Sequence, residues 1–93
     1  MSAPDEKTEE SGDRELAEFI GEKIATRREE LGLSQETLAE RAGMHRTSIS
    51  PLELGKHAPR IGSLRPLAKA LEVAPWELLP PDFLPDAERD STS

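Results

Sequence analysis

Arg41, Arg46, Lys56, Arg60 and Arg65 place five cations between residues 41 and 65, against one acid, Glu53. His45 and His57 add to this charge when protonated, and the hydroxyls of Thr47, Ser48 and Ser50 lie among the cations. Guanidinium, ammonium and hydroxyl groups donate hydrogen bonds to phosphate oxygens, and a guanidinium also fits the O6/N7 edge of guanine. A stretch of this composition is a candidate phosphate footprint. The competing reading is an ordinary solvated charged face.

The net charge of −7 argues against a phosphate ligand until it is divided along the chain. Asp5, Glu6, Glu9, Glu10 and Asp13 against Lys7 give −4 over residues 1–13. Asp82, Asp86, Glu88 and Asp90 against Arg89 give −3 over residues 80–93, so residues 14–79 sum to zero. Both terminal segments are charged and poor in apolar residues, which predicts disorder for 1–13 and for the Pro-containing 80–93. Residues 14–79 are then the one folded domain.

Other chemistries find little support. No Gly-rich phosphate loop, nucleophile with a neighbouring base or cluster of catalytic carboxylates is present, so no enzyme is expected and no cofactor. The two histidines, with no acidic partner pattern and no cysteine, predict no metal site. No apolar run approaches the roughly 18–20 residues of a membrane span. The acidic N-terminus is unlike a secretory signal, and the expectation is a cytoplasmic protein, associated with the nucleoid when bound to DNA.

The elements that must position the cations are helical. Leu16, Phe19, Ile20, Ile24 and Leu31 form one stripe, which predicts a first helix over about 14–31, stopped by Gly32. Ser34 is a good N-cap for a second helix over about 35–42, with Gly43 as its stop. A third spans about 46–54 and ends at Gly55. A fourth lies between Pro59 and Glu72, with Ile61, Leu64, Leu67, Ala68 and Leu71 inward. Pro75 suits the start of a short fifth helix carrying Trp76, Leu78 and Leu79. Gly62 and Pro66 are poor helix residues, which predicts that the fourth starts late, near Ser63. Strand signals are weak, and the fold class is all-α.

The second and third helices read SQETLAERAGMHRTSISPLELG. Ala39, Gly43 and Ile49 supply a small residue, a glycine at the turn, and an Ile six residues beyond it, as a helix-turn-helix requires. Leu38, Ala42, Met44 and Leu52 complete the inward face. Together with IGEKIATRREELGL before it and SLRPLAKALEVAPWELL after it, the segment resembles the Cro/repressor-type (XRE-like) helix-turn-helix domain.

That resemblance implies a compact five-helix, lambda-repressor-like domain. It implies a transcriptional regulator that binds double-stranded DNA sequence-specifically, usually as a dimer on a near-palindrome. In such a domain the third helix enters the major groove, so Arg46, Thr47, Ser50 and Pro51 are the expected base readers. Arg46 is the strongest candidate, with a phosphate contact as its alternative. Gln35, Ser48, Lys56, His57 and Arg60 are expected phosphate contacts, which position rather than specify. Glu53 is expected to pair with Arg28 and staple the third helix to the first.

Leu54 departs from the family's usual Arg or Asn and removes one phosphate donor. Pro51 leaves two geometries open: a helix from Arg46 that is kinked, or one that begins near Ser48. Trp76, Leu78, Leu79, Phe83 and Leu84 form the candidate dimer surface, with core packing as the alternative for Trp76. A rival function is an antitoxin or other protein-interaction module of the same fold, its acidic tails engaging a protein partner.

Overall fold

The computed structural model describes residues 3–83, with side chains over 14–82. Four α-helices and two 3-10 turns follow one another: α1 (Ala3–Glu30), α2 (Gln35–Ala42), α3 (Arg46–Glu53), α4 (Ile61–Ala70), then turns at Pro75–Leu78 and Pro81–Phe83. No strand occurs among the described residues. The expected fifth helix is therefore a single 3-10 turn of four residues.

α1 begins well before the predicted start near 14, and its backbone is helical across Ala3–Asp13, where composition predicted disorder. Leu84 and the residues beyond it, with most of the expected acidic C-terminal tail, lie outside the described residues, as does the Phe83 side chain.

α2 matches its expected bounds, and the Ser34 side chain accepts the Thr37 amide at 3.0 Å. α3 starts at Arg46 and runs as α-helix through Pro51, which removes the late-starting alternative. α4 also starts earlier than expected, at Ile61, so Pro66 is its sixth residue rather than part of its first turn. The two prolines leave the Thr47 and Gly62 carbonyls without their intrahelical donors. Each helix absorbs this singly, because its remaining apolar face is held by the core.

The core joins Ile20 and Ile24 of α1, Leu38, Ala39 and Ala42 of α2, Ile49 and Leu52 of α3, and Leu67, Ala68, Ala70 and Leu71 of α4. Leu78 closes it at 2% exposure, so it is a core residue and not part of a dimer surface. Leu16, Met44, Leu64 and Leu79 pack partly buried around it. Ile61 corrects the inward expectation: as the first residue of α4 it is 88% exposed although it shares the angle of Leu64 and Ala68. Trp76 is also outside the core, at 56% exposure.

One contact sets the position of α3. Gly21 of α1 is buried against the end of α3, where an added Cβ would overlap the Leu52 carbonyl oxygen and lie 2.8 Å from that of Glu53. Only a residue without a Cβ lets the two backbones approach so closely.

Candidate nucleic-acid interface

Three pieces of chain carry the expected contacts: the N-terminus of α2 with Gln35, the outward side of α3 with Arg46, and the connection from Gly55 to Arg60 with Lys56 and His57. Arg41 and Arg65 line a separate groove with Lys69. Gly43 makes the turn between α2 and α3 at φ 67°, with the Met44 amide donating to the Ala39 carbonyl at 2.9 Å. Ala39 is 1% exposed, and Ile49 and Leu52 press α3 inward on the same side. The opposite side of α3 therefore faces water. Arg46 and Thr47 are exposed there, and Ser50 and Pro51 are half-buried.

The Arg28–Glu53 pair forms as expected and is bidentate, Nε donating to Oε2 at 2.6 Å and Nη2 to Oε1 at 3.1 Å. Their side chains are 14% and 7% exposed. Nη1 of Arg28 also donates to the Leu33 carbonyl at 2.8 Å. The Glu53 hydrogen bond outweighs the opposing effect of burial and raises the Arg28 pKa above its usual value. Because the pair ties α1 to the last turn of α3, it fixes the tilt of the exposed side.

The expected phosphate contacts divide into groups. Ser48, His57 and Arg60 line one open groove between the start of α3 and the following connection, with Met44, His45 and Pro59. Lys56 is exposed beside His57 in a second groove, lined also by Arg14 and Leu54. Gln35 stands apart from both: its amide nitrogen donates to Glu53 Oε1 at 2.9 Å. One amide hydrogen and the carbonyl oxygen of Gln35 stay available. His45 occupies the N-cap of α3 but makes no capping hydrogen bond.

Three residues were missed by the pattern reading. Gly21 carried a signal, a glycine inside an otherwise regular stripe. Arg27 donates from Nε to the Leu71 carbonyl at 2.9 Å, capping the end of α4 from 44 residues away, and nothing local marks it. Glu36, in the first turn of α2, brings Oε2 to 3.9 Å from Arg46 Nη1. Among the described residues no group of three His, Cys, Asp or Glu could hold a metal ion, and no helix is long and apolar enough to cross a membrane.

The Helix-turn-helix family matches residues 24–78, from the last two turns of α1 through the first 3-10 turn. The chain belongs to this family. An HTH-type transcriptional regulator of Sinorhizobium fredii is 36% identical over 67 residues, covering 72% of this chain and 87% of its own. The control protein C.SmaI of Serratia marcescens is 37% identical over 65 residues, covering 70% and 77%. Among solved structures, the restriction-modification controller protein C.AhdI of Aeromonas hydrophila superposes with a TM-score of 0.65 at 33% identity, covering 68% of this chain and 96% of its own. The P22 c2 repressor, solved with a synthetic operator, gives 0.62 at 35% identity, covering 64% and 91%. These relatives place this helix-turn-helix protein among the XRE/Cro-type DNA-binding transcriptional regulators, a family that is not enzymatic. The family match starts at Ile24, so the first three-quarters of α1 lies outside it.

Proposed function

We propose that the protein binds double-stranded DNA sequence-specifically, lays α3 in the major groove, and acts as a homodimer on a near-palindromic site. The observation that carries this is the exposure of Arg46 and Thr47 on the first turn of α3, with Ser48, His57 and Arg60 lining one groove at its flank. Base-edge donors lead and phosphate donors flank, as groove docking requires. The operator-bound state of the P22 c2 repressor supports the same reading. Pro51 offers a thymine methyl an apolar contact but no hydrogen bond to any base.

An eight-residue α3 reads few base pairs, and a two-fold dimer doubles them by spacing half-sites one DNA turn apart. Trp76, exposed beside the partly buried Leu79, is the described part of the dimer surface. Phe83 and Leu84 extend it by sequence alone. A second reading, a module acting through a protein partner, has one support: the SinR protein/SinI protein complex superposes with a TM-score of 0.63 at 29% identity. The acidic terminal segments are then the partner-facing parts.

Selection of bound duplexes from a random pool tests the first reading. It predicts an enriched two-fold motif. Arg46→Ala should then weaken the selected site more than random DNA, by about 1–3 kcal/mol, whereas Lys56→Ala should weaken both alike. Absence of enrichment at low salt favours the protein-partner reading.

A further inference from the structure

Arg46 differs from the other cations of the interface in one respect. Lys56, His57 and Arg60 have no acidic group within 4.0 Å among the described residues, whereas Arg46 faces Glu36 at 3.9 Å. Both side chains are exposed, 72% for Arg46 and 65% for Glu36, so burial does not force them together. Glu36 sits in the first turn of α2, where an acid favours the helix dipole. Yet the same helix end is where a DNA phosphate would be received, and a carboxylate there repels it. The neighbouring Gln35 amide is held by Glu53 and does not screen that charge.

We propose that Glu36 is a positioning residue for Arg46, keeping its guanidinium off the adjacent phosphate and available to a base edge. This rests on α3 being the reader. An exposed ion pair at this distance is weak, so guanine, with its two acceptors, displaces Glu36 readily. A phosphate competing for the same guanidinium must approach the Glu36 carboxylate. Glu36 thus lowers affinity for all DNA, and lowers it most where Arg46 has no guanine to meet. The acid contributes selectivity at the expense of strength.

Glu36→Gln keeps size and helix compatibility while removing the charge. Affinities for the site selected by the wild type and for a random duplex of equal length, each measured against salt, give the test. The variant should bind random DNA more tightly, and its ratio of selected to random affinity should fall about threefold to tenfold. The salt slope on random DNA should steepen by about 0.9, one added phosphate contact. With Arg46→Ala already present, Glu36→Gln should leave the ratio unchanged. An equal rise on both duplexes overturns the proposal, because Glu36 then acts as bare charge. No change at all overturns it, as does the same fall in ratio without Arg46. A wild type that selects no sequence sinks the reading of α3 and this inference with it.

Discussion

The joint between α1 and α3 and the joint between α2 and α4 use opposite means. At the first, Gly21 admits the Leu52 and Glu53 carbonyls, and Gly55 lies where a Cβ would meet Glu18 Cγ at 2.8 Å. A bidentate ion pair then locks the two helices. At the second, Leu38, Ala39 and Ala42 meet Leu67 and Ala68 through apolar contact. Its ion pair, Arg41 to Glu72, is 3.9 Å long with side chains 47% and 61% exposed. Apolar attraction is non-directional, whereas a bidentate ion pair and a backbone-to-backbone approach each fix one geometry. The rigid joint belongs to the helix that carries Arg46 and Thr47, and the forgiving one to the helix behind it.

The largest effect should come from Glu53→Ala. It strands Arg28 at 14% exposure and frees the Gln35 amide, for an expected loss of about 3–5 kcal/mol. Thermal denaturation followed by circular dichroism measures it. Replacing both partners, Arg28→Met with Glu53→Leu, should recover most of that stability, because the cost lies in the stranded charge. If the double variant melts as low as the single, the pair itself is the main stabiliser. Arg41→Ala at the other joint should change stability by less than about 0.5 kcal/mol, since an exposed pair contributes little.

Gly21→Ala comes next. The added methyl meets two backbone carbonyls that cannot rotate away, so α1 and α3 must separate, at a cost of about 3 kcal/mol. For a domain of this size that lowers Tm by roughly 12–24 °C. Gly62→Ala is the control, because nothing lies within 4 Å of its would-be Cβ. It should stabilise by about 0.5–1 kcal/mol through helix propensity alone. A Gly21→Ala protein as stable as wild type would mean that the joint yields.

What the sequence revealed follows from the range of each signal. Ser34, Gly32, Gly43 and Gly55 act within one turn of chain, and the helix ends they mark stand within a residue or two of expectation. The Arg28–Glu53 staple came through the resemblance and not through spacing. The α1 start lies earlier than expected because the expectation followed the apolar stripe, which begins at Leu16, and a helical backbone can extend beyond the stripe that packs. The start of α4 was placed too late, near Ser63, because Gly62 and Pro66 argue locally for a later start, and α4 nevertheless begins at Ile61. Ile61 was assigned by periodicity, which states an angle and not the burial of the side chain. Gln35–Glu53, Arg27–Leu71 and Glu36–Arg46 join separate helices, so only the folded chain brings them together.

The smallest predicted effect sharpens the contrast at the ends of the helices. All four α-helices finish with the same pair of amide-to-carbonyl bonds and a left-handed residue. That residue is Gly32, Gly43 or Gly55 in α1 to α3, at φ 71°, 67° and 75°, but Glu72 after α4, at φ 61°. A side chain in this conformation costs on the order of 1 kcal/mol, which glycine avoids. Glu72 returns only a weak exposed pair with Arg41. Glu72→Gly should therefore raise stability by about 0.5 kcal/mol or slightly more, read as a shift of a few degrees in Tm. DNA affinity should not move, because the joint behind the reader has slack and the joint that holds it is untouched. A loss of stability would show that Arg41–Glu72 holds α2 to α4 more firmly than its length and exposure imply, and the two joints would then differ less than their geometry suggests.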